Sequence, residues 1–541
     1  MRSLARRFRS VTRLLLPRTC SSRACACVDS NNMATIQSEG MDPDRDRDTA
    51  PILAGDGGLR RREQVRNQFL ATFVSTLGPL AFGMVLGYSS PALPDLKKES
   101  GAVHMDSYHG SWFGSLSAIG AMFGGPVGGW CIEALGRKTS LMTAVLPFTG
   151  GWLILAYAQN LAMLYVGRLL TGIAAGMTSL TVPVYVAEIS SPRLRGLLGA
   201  SFQLMVTIGI LLVYVFGNFL GWRWLAIVCL LPAVILIIAM AFMPETPRWL
   251  LAKGRRPAAV TSLLWLRGPD VDVEDECADI ESNLQQQESM SWREFTQPSL
   301  LKPFAIGMAL MFFQQFSGIN AVIFYSVSIL EDAGVEGNTG AIIVGAVQVV
   351  ATFVACLLMD KMGRRVLLIV AGTGMAITSV TFGLYFQLEQ NNGHNSTLTL
   401  ATTPTPTPAP GPDLSWLSLT SMIVYIIAFS LGWGPIPWLM MSEIFPSRAR
   451  GTASGIATLF NWFGAFIVTK EFDDMVKAFT EQGAFWFFAG ICLLGVLFVF
   501  FVVPETKNVS LEEIEAYFEG KGKPRSALQT SAYSSPPLEE S

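Results

Sequence analysis

The sequence is short of charge. Asp, Glu, Lys and Arg make up only 15% of its 541 residues, against roughly 25% in a soluble globular domain. The charges fall in clusters, which excludes an evenly solvated surface. The formal net charge is −2, so there is no basic excess with which to hold a nucleic acid. Cysteine is sparse too. Of 8 cysteines, Cys131, Cys229, Cys356 and Cys492 sit in or beside apolar runs, and Cys20, Cys25 and Cys27 crowd the N-terminus. No CxxC pair and no Cys/His ligand set occurs, which argues against a disulfide framework and a metal site. A Walker loop and a nucleophile elbow are also missing. The reading is therefore not an enzyme: no catalytic residue and no cofactor is expected.

What is abundant is apolar sequence. Hydrophobic residues are 51% of the chain and mean hydropathy is +0.41. A run of about 20 apolar residues crosses a hydrocarbon core of about 30 Å. About twelve such runs occur, at 69–91, 110–132, 140–158, 162–186, 197–217, 223–243, 303–325, 340–360, 366–387, 414–438, 452–470 and 484–503. Lys and Arg collect in alternate loops, at Arg60–Arg62, Arg137–Lys138, Arg193–Arg195, 248–302, Arg364–Arg365 and Arg448–Arg450. That side is expected to be cytoplasmic, with both termini there.

The chain repeats itself. "EALGRK" (133–138) matches "DKMGRR" (360–365), "VYVAEISSPRLRG" (184–196) matches "LMMSEIFPSRARG" (439–451), and "PETPR" (244–248) matches "PETK" (504–507). Two parallel six-span halves are the mark of the major facilitator architecture, with substrate held near the midplane between them. The expected fold is an all-α membrane protein of twelve transmembrane helices. Its parts are an N-terminal segment 1–66, a six-helix half 67–247, a linker 248–302, a second half 303–503 and a tail 504–541. Apolar positions Val260, Leu263, Leu264 and Leu266 give the linker short amphipathic helices. Residues 388–413, rich in Thr and Pro, are expected to be a disordered loop carrying a glycosylation acceptor at Asn395. Residues 1–32 hold many arginines and no acid before Asp29. They read either as a presequence or as an extension upstream of a start at Met33 or Met41. Gly120, Gly124 and Gly128 form a small-residue face for helix packing.

The repeated motifs set acids and bases at helix ends near water. Arg137, Glu188, Arg195 and Glu245, with Arg364, Arg365, Glu443 and Arg450, are expected to form a charge network holding the halves together on the cytoplasmic side. The alternative is topology anchoring by positive charge alone.

The paired GRK/GRR, PETPR, "QQFSGIN" (314–320) and "GPIPW" (434–438) together resemble the facilitative hexose transporters of the sugar porter family, in the class III branch, over about residues 65–520. The resemblance implies passive transport of a hexose, with glucose favoured. A hexose offers hydroxyls and an apolar face, which suit neutral amides and aromatics. The family's sugar-contacting positions carry over to Gln203, Gln314, Gln315, Asn320, Tyr325, Gln348, Trp438 and Asn461, with Trp462 beside them. Gln315 and Asn320 are five residues apart, about 140° around a regular helix, so a break at Ser317-Gly318 is needed for them to converge. Gly434, Pro435 and Pro437 are expected to form a hinge, since proline removes backbone donors. Met311-Phe312-Phe313, Gln348, Ser430 and Ala465 depart from the commonest family pattern and put the choice of sugar in question. Ser89 stands where proton-coupled relatives keep a carboxylate, which favours uniport over symport. The other alternative is a non-transporting sugar sensor. Asp48, Ile52 and Leu53 resemble an acidic dileucine signal, which implies a clathrin adaptor as partner and an endosomal or lysosomal membrane cycling with the cell surface. Membrane lipid is the remaining partner.

Overall fold

The computed structural model describes residues 65–98, 105–191, 194–269, 271–285, 297–332, 334–400, 415–446, 449–507, 509 and 511–518. Asp48, Ile52 and Leu53 lie outside the described residues, as do most of 1–66 and of the tail. Among the described residues, eleven helical stretches are long and apolar enough to cross a membrane. The last, Arg450–Val502, is two helices joined at Thr480, whose φ of 68° no helix contains. The chain therefore crosses twelve times.

The first six spans are Arg66–Lys98, Ser107–Leu135, Arg137–Ala156, Leu161–Ile189, Arg195–Gly217 and Trp222–Ala241. Three short helices follow, Pro247–Ala252, Arg256–Arg267 and Glu274–Gln285. They bury Trp249, Leu250, Ala259, Leu263 and Cys277 in a small core of their own. The second half begins with a seventh span in two pieces, Pro298–Phe316 and Ile319–Asp332, followed by the eighth, Gly337–Met362. The ninth runs from Arg364 to Leu400. Its helix thus continues through the segment expected to be a disordered loop from 388, and the backbone of Asn395 is helical. The first part of that segment, "LEQNNGHNSTLTL", has no proline to stop the helix; the prolines begin at 404. The tenth span is again in two pieces, Ser415–Leu431 and Ile436–Ile444.

The glycine face of the second span meets the fourth span backbone to backbone. A Cβ on Gly124 would fall inside the shell of the Ile173 carbonyl, and Gly172 and Gly176 approach Ser117 and Ala121 in the same way. Close approach of this kind replaces the hydrophobic drive that helices lack in lipid.

The halves touch through the second and eleventh spans, through the fifth and eighth, and through the first and fifth against the seventh. At the end opposite the Lys/Arg-rich loops these contacts are polar and aromatic. Ser90 Oγ accepts the Val327 N–H at 3.1 Å, and the Tyr214 hydroxyl donates to the Ile323 carbonyl at 2.8 Å. Trp112 packs on Phe466, and Lys470 Nζ lies 5.4 Å from the ring centres of Tyr108 and Trp112. That end of the seam is closed.

Candidate functional site

Both broken spans owe their breaks to sequence. In the seventh, Gly318 takes φ +95°, which is outside the helical region and open to glycine at little cost. In the tenth, Pro435 and Pro437 lack N–H groups. The Trp433 carbonyl, whose partner four residues on would be position 437, is left without an intrahelical donor.

Gln314, Gln315, Asn320 and Asn461 meet at these breaks. Asn320 Nδ2 donates to Gln315 Oε1. Gln315 Nε2 donates to Asn461 Oδ1 at 2.9 Å, and Asn461 Nδ2 donates to Gln314 Oε1 at 2.8 Å. Gln314 Nε2 then donates to the carbonyls of Trp433 and Gly434, at 2.8 and 2.9 Å. The result is a continuous chain of amides from one break to the other. The two ends of the chain differ in what they have left to offer. Gln314 and Asn461 are 3% and 2% exposed, and all four of their amide N–H bonds have acceptors, the last being Met311 Sδ at 3.1 Å from Asn461 Nδ2. Gln315 and Asn320, at 8% and 9%, each keep one N–H free of a protein partner among the described residues. The break at Gly318 accounts for the convergence, because an unbroken helix aims Gln315 and Asn320 in different directions.

The remaining expected residues separate into two groups. Gln203 and Gln348 make no side-chain hydrogen bond among the described residues, and Trp438 is half-buried beside the tenth-span break. These three have groups to spare. Tyr325 does not join the amide chain. Its hydroxyl donates to the Thr469 carbonyl at 3.1 Å and its ring stacks on Phe472, so it closes the seam instead. Met311, one of the departures from the family pattern, is inside the chain through its sulfur.

The charge network differs from expectation. Arg137 pairs with Glu188 at 2.8 Å and Arg364 with Glu443 at 3.0 Å. Both pairs close inside one half, so they do not latch one half to the other. The reason is topological: the loop after a second span and the foot of a fourth belong to the same half and face each other there. Arg195 is exposed and pairs with no carboxylate among the described residues, and Arg450 donates to the Phe445 carbonyl. The PET glutamates have a further use. Glu245 accepts the backbone N–H groups of Arg137, Lys138 and Thr246. Glu505 accepts those of Arg364, Arg365, Thr506 and Lys507. Each carboxylate caps the N-terminus of a neighbouring helix, where the dipole favours negative charge. Burial pushes the Glu245 carboxyl above the ordinary range, and those N–H groups pull it back. Glu245→Ala is expected to cost about 1–3 kcal/mol by stranding these donors. Glu245→Gln, which keeps an acceptor oxygen, should cost less, and thermal melting in detergent reads the order.

Sequence reasoning missed Arg168. Its guanidinium is fully buried and donates to the carbonyls of Phe113 and Val85 and to the hydroxyls of Ser89 and Ser117, at 2.8–3.1 Å. A lone Arg in an apolar run was the available signal. Lys470 and Glu505 were overlooked likewise as site residues.

The family profile described as "Sugar (and other) transporter" matches residues 71–518. The chain belongs to the sugar transporter family. It is 44% identical over 485 residues to solute carrier family 2, facilitated glucose transporter member 8, of Bos taurus, covering 89% of this chain and 100% of that protein. It is 40% identical over 469 residues to the facilitated trehalose transporter Tret1 of Culex quinquefasciatus, covering 85% and 88%. Among solved structures it is similar to the proton:xylose symporter XylE bound to 6-bromo-6-deoxy-D-glucose. There the identity is 27%, the TM-score 0.69 and the coverage 84% of this chain and 99% of that one. This sugar transporter is therefore a multi-pass membrane protein of the major facilitator type, not an enzyme, as the motifs had led us to expect. The resemblance to the facilitative hexose transporters stands at the level of whole-length relatives.

Proposed function

We propose that the protein is a passive, alternating-access carrier of hexoses with glucose as its preferred sugar. The observation that carries this reading is the amide chain at the paired helix breaks. Neutral amides donate and accept at once, which matches sugar hydroxyls without requiring a proton. Gln315 and Asn320 offer the free valences, Gln203 and Gln348 add unpaired amides, and Trp438 supplies an aromatic face. The Lys/Arg-rich end is cytoplasmic in this reading. Uniport is supported by Arg168, whose partners among the described residues are carbonyls and hydroxyls. Ser89 occupies the place of an acid, and no carboxylate bonds the guanidinium.

The test is uptake of labelled D-glucose into vesicles holding the purified protein. Sugar should equilibrate without concentrating, with or without a pH gradient, and unlabelled trehalose should compete poorly. Accumulation driven by a proton gradient overturns uniport. The similarity to a proton:xylose symporter is the observation behind that second reading. Tight competition by trehalose overturns the hexose assignment, and absence of counterflow with any sugar overturns transport. We further propose that Asp48, Ile52 and Leu53 recruit a clathrin adaptor and keep the carrier on endosomal or lysosomal membranes, and that Asn395 is glycosylated. Ile52→Ala with Leu53→Ala should then move the protein to the cell surface.

A further inference from the structure

Lys470 is a buried cation on the eleventh span. Only 7% of it is exposed, so it does not reach out to water as lysines near a membrane surface do. Its ammonium makes no hydrogen bond among the described residues. Its ion-pair partners there are Glu471 and Asp474, each at 3.9 Å. What the ammonium faces is the other half of the molecule, where Tyr108 and Trp112 of the second span have their ring centres 5.4 Å away. These rings are four residues apart and therefore share one helix face. Gly114, half a turn further on, lets the two spans come this close. A Cβ there would lie 3.3 Å from the Tyr325 hydroxyl and 3.5 Å from the side chain of Thr469, the residue before Lys470.

The two sets of partners depend on the seam differently. Glu471 and Asp474 ride on the same helix as Lys470 and stay with it whatever the halves do. Their side chains are 60% and 53% exposed, and Asp474 already holds Lys477 at 3.0 Å. Water screens such pairs until they are worth little. The rings belong to the other half and are lost once the end of the seam opposite the Lys/Arg-rich loops, the outer end, comes apart. A cation held over aromatic faces away from water gains more than one beside a solvated carboxylate. We infer that Lys470 is a positioning residue that clasps the outer gate, its ammonium held on Tyr108 and Trp112 across the seam when the gate is shut and released to the carboxylates of its own helix when it opens. The inference rests on the reading of the protein as an alternating-access carrier. The clasp weights the empty carrier toward the form closed at its outer end. It stands apart from the amide chain, so it acts on the populations of the two forms and not on recognition of the sugar.

Backbone hydrogen exchange of the purified full chain in lipid nanodiscs reads both ends of the seam at once. Lys470→Met keeps an unbranched side chain and removes the charge. It should speed exchange at the outer ends of the second and eleventh spans, around 107–116 and 464–474, by about fivefold or more. The cytoplasmic ends of the fifth and eleventh spans, around 195–205 and 450–460, should exchange no faster than in the parent. Lys470→Arg, whose guanidinium also stands on aromatic faces, should restore the parental pattern to within about twofold. Faster exchange at both ends is general loosening and overturns the inference, as does an unchanged outer end or an arginine variant as open as the methionine one. Tyr108→Leu with Trp112→Leu removes both rings, and in that background Lys470→Met should open the gate no further. A second gain of similar size overturns the clasp. Should the double leucine variant fail to fold, Tyr108→Leu alone serves, and there the gain from Lys470→Met should shrink; an undiminished gain overturns the clasp. Exchange is measured without sugar, so the transport reading is tested separately: if parent vesicles show no counterflow of any sugar, it is that reading which fails.

Discussion

Gly318→Val abolishes sugar uptake while the protein still reaches the membrane: that is the expected result, with a loss of at least tenfold in vesicles of matched protein content. Gly318 holds φ +95°, and a Cβ there would lie 2.6 Å from the Phe488 ring. A β-branched residue meets both penalties. Holding a side chain in a left-handed conformation costs about 1–3 kcal/mol, and a 2.6 Å contact with a buried ring forces further movement. The relaxed chain escapes by straightening into helix. Gln315 and Asn320 then diverge by about 140°, and the hydrogen bond between them is lost. Gly318→Ala meets the same conformational penalty with a smaller side chain, so it should retain partial uptake. Wild-type uptake by the valine variant would show that the break is not needed.

The second large effect falls on folding. Gly124→Leu places a branched side chain where the second span meets the Ile173 carbonyl of the fourth. Overpacking of an ordinary core costs about 1–3 kcal/mol. Here the obstacle is backbone, which cannot change rotamer, so the two helices must part along the whole glycine face. Loss of the monodisperse peak in detergent chromatography is the expected outcome. The neighbouring Gly125 has open space around its Cβ position, so Gly125→Ala is the matched control and should fold. An intact, equally stable Gly124→Leu protein refutes the interlock.

Much of this architecture was legible from hydropathy and the internal repeat, because a membrane span advertises itself over a long window. The breaks at Gly318 and at Pro435–Pro437 were legible for a different reason: glycine and proline act on their own backbone, so no distant partner need be known. Legibility failed where the outcome depends on which surfaces meet. The acids and bases of the GRK and PET motifs were visible, but whether Arg137 finds Glu188 in its own half or a carboxylate across the seam is a matter of three-dimensional adjacency. Tyr325 and Lys470 were absorbed into the closed seam for the same reason. Arg168 was hidden because its partners are serines and carbonyls of the first and second spans, groups that carry no sequence signal for a buried cation. The extent of the ninth helix was misjudged because a Thr/Pro-rich composition was extended over 388–400, which contains no proline.

On the proposed reading as a passive carrier, the protein makes its return stroke empty. Amides stripped of their sugar and left bare in an apolar interior would add their desolvation cost to that stroke. The chain from Asn320 through Gln315 and Asn461 to Gln314 removes most of this cost, since each amide finds its neighbour when no sugar is present. The unloaded protein is thus internally solvated by its own amides. On that reading it reorients without waiting for cargo on the far side, and net unidirectional flux is expected not to depend on exchange for a second sugar.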